Sequence, residues 1–115
     1  MLLNLSNHPS SNWTEPQLAA AGGESQVIDL PFPTVSHDGD EAYIEQLVND
    51  YYNKIINIQG ITAVHIMGEM TFCYKLITKL KAHNIRCLAS TTKRETVEEN
   101  GVKISKFNFV RFREY

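Results

Sequence analysis

The chain has 115 residues, 43% hydrophobic and 21% charged, with 11 Lys and Arg against 13 Asp and Glu. That length suits one hydrophobic core, and the balance excludes a disordered tail, a collagen-like repeat and a disulfide-dense miniprotein. No segment reaches the roughly 18 uninterrupted apolar residues of a membrane helix.

Met1-Leu2-Leu3 opens an apolar run that Asn4, Ser6, Asn7 and His8 interrupt, and no basic stretch precedes it, which argues against a signal peptide. Cys73 and Cys87 are too few for a disulfide framework and are expected as buried thiols in the cytoplasm. Charge is unevenly distributed. Residues 1–70 hold one base and nine acids, whereas residues 71–115 hold ten bases and four acids. Two readings follow: an anionic ligand on the basic half, or two halves that complement each other across the fold.

Taken in order, Leu2–Ser6 reads as a strand that the polar stretch Ser6-Asn7-His8-Pro9-Ser10 closes. Thr14 and Gln17 have capping-box spacing ahead of a short helix through Leu18–Ala21, ended by Gly22-Gly23. Gln26–Leu30 is a second strand, closed by Pro31-Phe32-Pro33. From Asp40, the positions Tyr43, Ile44, Leu47, Val48, Tyr51, Ile55 and Ile56 step by three and four, which predicts an amphipathic helix that Gly60 ends. Ile61–Met67 is almost continuously apolar, as in a strand covered on both faces. After a turn at Gly68–Thr71, Phe72, Leu76, Ile77 and Leu80 form the buried stripe of a third helix. Ile85–Ala89 is a fourth strand, running into a polar stretch at Ser90–Arg94. Alternating apolar residues around Asn100-Gly101 then predict a C-terminal hairpin.

This order predicts an α/β chain: one domain over residues 1–115, a three-layer Rossmann-like sandwich with a mainly parallel sheet and an antiparallel C-terminal β-hairpin. In such a sheet ligands bind beyond the C-terminal strand ends. Three loops are thereby selected: Ser6–Ser10, Met67–Thr71 and Ser90–Arg94, with Pro31-Phe32-Pro33 more peripheral. His8 is a candidate proton-transfer group or phosphate contact, the alternative being a turn-capping histidine. Gly68 permits close backbone approach and Thr71 offers a hydroxyl, while Glu69 is either a ligand contact or a helix-start carboxylate. Ser90, Thr91, Thr92, Lys93 and Arg94 form the densest donor cluster, suited to phosphate, or else a solvated strand end. Arg111 and Arg113 alternate with Val110 and Phe112 on the last strand, facing outward.

His8, His37, His65 and His83 with the two cysteines show no zinc spacing, so no metal is expected. His65, inside an apolar strand, reads as a satisfied core histidine, and both cysteines as inert buried thiols. No Ser-His-Asp order or GxSxG elbow appears.

The runs Leu3–Pro9, Asp29–Pro33, Val64–Phe72 and Ala89–Arg94 together resemble the small Rossmann-like proteins associated with type III CRISPR systems, which are similar to CARF sensor domains and ring nucleases. The resemblance implies binding and metal-independent cleavage of cyclic oligoadenylate, without a cofactor, by a homodimer whose two clefts join. It implies no membrane or double-stranded DNA partner. It would place Ser6, Asn7, Ser10, Gly68, Glu69, Thr71, Ser90, Thr91 and Thr92 around the ligand, with His8, Lys93 and Arg94 in catalysis. The alternatives are a module that binds the nucleotide without cleaving it, and an interaction subunit that uses the basic strand Lys106–Tyr115.

Overall fold

A computed structural model describes all 115 residues. The elements are β1 (Leu2–Ser6), α1 (Glu15–Ala20), β2 (Val27–Asp29), α2 (Glu41–Ile56), β3 (Ala63–Met67), α3 (Met70–Ala82), β4 (Cys87–Glu99) and β5 (Val102–Glu114), with short 3-10 turns at Ser10–Asn12 and Glu24–Gln26. One sheet runs β2-β1-β3-β4-β5. Its first four strands are parallel and β5 is antiparallel to β4, as the sequence predicts.

Strand alternation divides the sheet into two faces. Leu3, Leu5, Val64, Ile66 and Cys87 pack against α2 and α3, sharing one core with Ile44, Val48, Ile55, Leu76 and Leu80. Phe72 is fully buried there, edge-on to Phe32 at 5.4 Å and to Tyr51 at 5.5 Å. On the other face Leu2, Trp13, Ala63 and Leu88 make a smaller cluster that Leu18 and Ala21 of the α1 region cover. The chain steps outward from β1 to β2, then crosses back to β3 and on to β4. Winding therefore reverses between β1 and β3, the switch point at which the strand ends of an open α/β sheet leave a crevice.

The helices start as their sequences dictate. The Asp40 carboxylate accepts the Tyr43 N–H at 2.9 Å, and that of Glu69 accepts the N–H groups of Thr71 at 3.0 Å and Phe72 at 2.8 Å. Part of the charge asymmetry is complementary, since Lys75 of α3 pairs with Glu45 of α2 at 3.1 Å, whereas Arg86 pairs with Glu114 inside the basic half. The hairpin turn lies where Asn-Gly predicts, with φ of 53° at Asn100 and 78° at Gly101.

Several details differ from the sequence reading, among them that β3 begins at Ala63 and α3 at Met70. Thr14 precedes α1 without a side-chain cap, and Gln17 turns its amide to Ser90 rather than back to the helix start. β2 is only three residues long. α2 stops at Ile56 rather than Gly60, the Ile58 N–H closing on the Ile55 carbonyl at 3.1 Å. Most consequentially, Ser90–Arg94 is not a loop. It continues β4 because β5 pairs with it from Leu88↔Glu114 to Glu99↔Val102, and beyond Leu88 no residue of β3 does.

Candidate functional site

At the switch point a cleft of about 510 Å³ opens on the α1 face of the sheet. Ser6, Asn7 and His8 at the end of β1, Met67 and Gly68 at the end of β3, and Ser90 and Thr92 of β4 form its floor. Trp13, Thr14 and Gln17 close one side, and Phe107 and Phe109 of β5 the other. Two larger hollows differ in kind. One of about 830 Å³ lies at the opposite sheet end against Met1, Thr62, Arg86, Arg111 and Arg113, and holds no His, Ser or Cys. Another, of about 600 Å³, is mainly apolar and follows Met67, Met70, Tyr74 and Ile77 along α3.

Alternation along the strands brings Asn4, His65 and Ser90 to the cleft side of the sheet, and β1–β3 register sets Asn4 opposite His65. His65 Nδ1 lies 2.9 Å from Asn4 Oδ1 and its Nε2 2.6 Å from Ser90 Oγ. The network determines each proton. Asn4 Nδ2 donates to the His8 carbonyl at 2.8 Å and to Asp29 Oδ1 at 2.9 Å, which turns the amide oxygen toward His65. His65 must therefore carry its proton on Nδ1, leaving Nε2 as acceptor. Gln17 Nε2 donates to Ser90 Oγ at 3.1 Å, so the Ser90 proton is directed to His65 Nε2.

Burial, with the neighbouring His8 contributing, lowers the pKa of His65 to about 4, so the ring is neutral at pH 7. Trp13 stands edge-on over it at 5.3 Å and Phe112 at 5.5 Å, while Trp13 Nε1 donates to the His8 carbonyl at 3.1 Å. Burial pushes the Asp29 carboxyl up, but hydrogen bonds from Asn4 and Ser10 outweigh it and hold the group below its ordinary range. His65 is thus the satisfied buried histidine that the sequence predicts, with a cleft in front of it.

The wall opposite α1 is the β4–β5 ribbon. A bulge makes Val110 the extra residue between Phe109, paired with Thr92, and Arg111, paired with Thr91. Both Phe109 and Phe112 consequently face the cleft side, 5.0 Å apart. One rung further out, Arg94 pairs with Phe107, so the two share that face. The Arg94 guanidinium meets no carboxylate, only Ser105 Oγ at 3.1 and 3.3 Å.

The cleft therefore gathers Ser6, Asn7, Gly68, Ser90 and Thr92 of the predicted ligand residues and His8 of the predicted catalytic ones, while Arg94 shares a ribbon face with the cleft-lining Phe107. The rest lie elsewhere. Ser10 is held by Asp29, its hydroxyl donating at 2.7 Å. Thr71 Oγ1 donates to the Glu69 carboxylate at 2.6 Å, and that carboxylate caps α3, which also holds its pKa down. Thr91 Oγ1 donates to the Arg111 carbonyl at 3.0 Å and accepts its N–H at 3.2 Å, stitching the bulge. Lys93, paired with Asn108, falls on the ribbon's opposite face. Gly68 does permit close approach, but by a side chain: a Cβ there would come within 2.3 Å of the Phe32 ring. Burial pushes both thiols up to about 11, Cys73 helped by the Glu69 charge, leaving them protonated and unreactive.

A family model matches residues 1–113. The chain belongs to the Uncharacterized protein MJ1673 family. No curated protein and no solved structure matches it. In this MJ1673-family chain the residues missed from sequence are Asn4, Trp13 and Gln17, together with the placement of His65 at the cleft. One signal was available. Asn4 and His65 each interrupt an apolar strand, and a buried polar side chain requires a partner. The partnership itself depends on register, which neither strand specifies alone.

Proposed function

We propose that this MJ1673-family protein binds cyclic oligoadenylate in the switch-point cleft and opens the ring by metal-independent phosphodiester cleavage. The observation that carries the reading is the cleft's composition. A floor of hydroxyl, amide and imidazole groups meets a wall on which Phe107 and Arg94 stand side by side. Phe107 is 64% exposed and offers an aromatic face for a base. Such stacking is worth about 1–3 kcal/mol per base. Arg94, without a carboxylate partner, suits the adjoining phosphate. A ribose 2′-hydroxyl attacks its own phosphate in line, and the cleft has only to hold that geometry and accept the proton. A cyclic ligand with repeated nucleotides suits two such clefts related by a twofold axis. The reading places the protein in the cytoplasm, and no helix is long and apolar enough to cross a membrane.

The test is incubation of the purified protein with cyclic tetra- and hexa-adenylate in EDTA, with products resolved by mass spectrometry. Linear product ending in a 2′,3′-cyclic phosphate is expected, and intact rings would overturn the enzymatic reading. Calorimetric binding without turnover would select a sequestering module. Arg94→Ala is expected to weaken binding by about tenfold, the scale of one charge-assisted contact. Lys93→Ala, on the other ribbon face, should leave it unchanged.

A further inference from the structure

We infer that Ser90 is the proton acceptor of the cleft, its hydroxyl linked through His65 and Asn4 to Asp29 in one directed hydrogen-bond chain. This deepens the phosphodiesterase reading and rests on it. Each link has one possible direction. The Asn4 oxygen can only accept from His65 Nδ1, which leaves His65 Nε2 to accept from Ser90 and the Gln17 amide nitrogen to donate to Ser90 Oγ. Ser90 Oγ is therefore a hydroxyl whose own proton already points at His65 Nε2, 2.6 Å away. A remaining lone pair is free to accept a proton from a ligand in the cleft that Ser90 lines.

The arrangement has the nucleophile, base and orienting group of acyl-transfer triads, but an amide stands where the carboxylate would be. Asp29 lies one link further back, bound to Asn4 at 2.9 Å. For a ribose ligand the step balances as follows. The 2′-hydroxyl gives its proton to Ser90 Oγ as the Ser90 proton passes to His65 Nε2. The 2′-oxygen bonds to phosphorus, the P–O5′ bond breaks with its electron pair leaving on O5′, and the proton held on His65 returns through Ser90 to that oxygen. No oxidant, metal or added co-reactant enters. In this scheme Ser90 touches substrate and is catalytic, His65 holds the proton behind it without touching substrate, and Asn4 positions His65.

The experiment has two parts. ¹⁵N NMR of the free protein should show His65 neutral at pH 7 with its proton on Nδ1. A proton on Nε2 would reverse the chain and overturn the proposal without reference to any ligand. Cleavage of cyclic tetra-adenylate is then compared in wild type, Ser90→Ala and Ser90→Thr, with affinity measured separately by calorimetry. Ser90→Ala is expected to lower kcat by about 10²–10³-fold with Kd little changed, as for loss of a positioned proton acceptor. Ser90→Thr, which keeps the hydroxyl, should recover most of the rate. An equal loss in kcat for Thr and Ala, a rise in Kd that accounts for the whole effect, or an Ala variant as fast as wild type would each overturn the role of Ser90 while leaving the phosphodiesterase reading in place. A wild-type protein that leaves the ring intact overturns both.

Discussion

The two faces of one sheet are built from alternate residues of the same strands, yet they do different work. Toward α2 and α3 the strands present Leu3, Leu5, Val64, Ile66 and Cys87, all apolar and all buried. Toward α1 they begin with Leu2, Ala63 and Leu88 and become polar toward the C-terminal ends, with Asn4, Ser6, His65 and Ser90. The first face holds the fold together by removing apolar surface from water. The second places polar groups where they keep their positions only through mutual hydrogen bonds, and no buried side-chain nitrogen or oxygen is left without a partner. Apolar packing and polar hydrogen bonding are thus separated by the pleat, one residue apart in sequence.

The sharpest way to break that separation is to damage the apolar face alone. Phe72→Ala should cost about 3–5 kcal/mol, the scale for truncating a large buried aromatic ring, read as a fall in the urea midpoint. Its activity, normalised to folded protein, should change much less than that of Ser90→Ala. A comparable loss would mean that the two faces are coupled.

Next in size is the acid response of the polar face. His65 titrates at its ordinary value of 6.5 in the unfolded chain and at about 4 when folded. As pH falls below 6.5, the unfolded state takes up the proton first and the fold loses stability. The loss approaches about 3 kcal/mol near pH 4. Between pH 6.5 and 4.5 this decline should be measurable by urea unfolding and should flatten in His65→Gln. Below their unfolded-state values, 4.5 for Glu69 and 3.8 for Asp29, these lowered carboxylates add their own loss. A decline that survives in His65→Gln would show that another group controls the window.

The smallest effect separates helix capping from ligand contact. Glu69→Ala removes the carboxylate that caps α3 and should cost about 1 kcal/mol, with ligand affinity unchanged. Loss of affinity would return Glu69 to the binding surface.

Much of the fold is encoded locally. β3 is a β-branched apolar run, α2 steps by three and four from an Asp40 cap, and Asn100-Gly101 carries a turn that needs positive φ at both residues. Each is determined within a few residues by side-chain shape, periodicity or backbone freedom. Ser90–Arg94 misleads because a polar run after an apolar strand looks like a loop. Only pairing with β5, many residues later, satisfies its backbone groups and keeps it extended. That same pairing divides Lys93 from Arg94.

The amino-acid sequence by itself determined the α/β order, the position of the crevice at the parallel strand ends, and the polar character of Ser6–His8. The tertiary structure alone decided that Asn4, His65 and Ser90 touch. Parallel register and sheet pleat bring together side chains that lie 61 and 25 residues apart, and no local property of any one strand encodes that meeting.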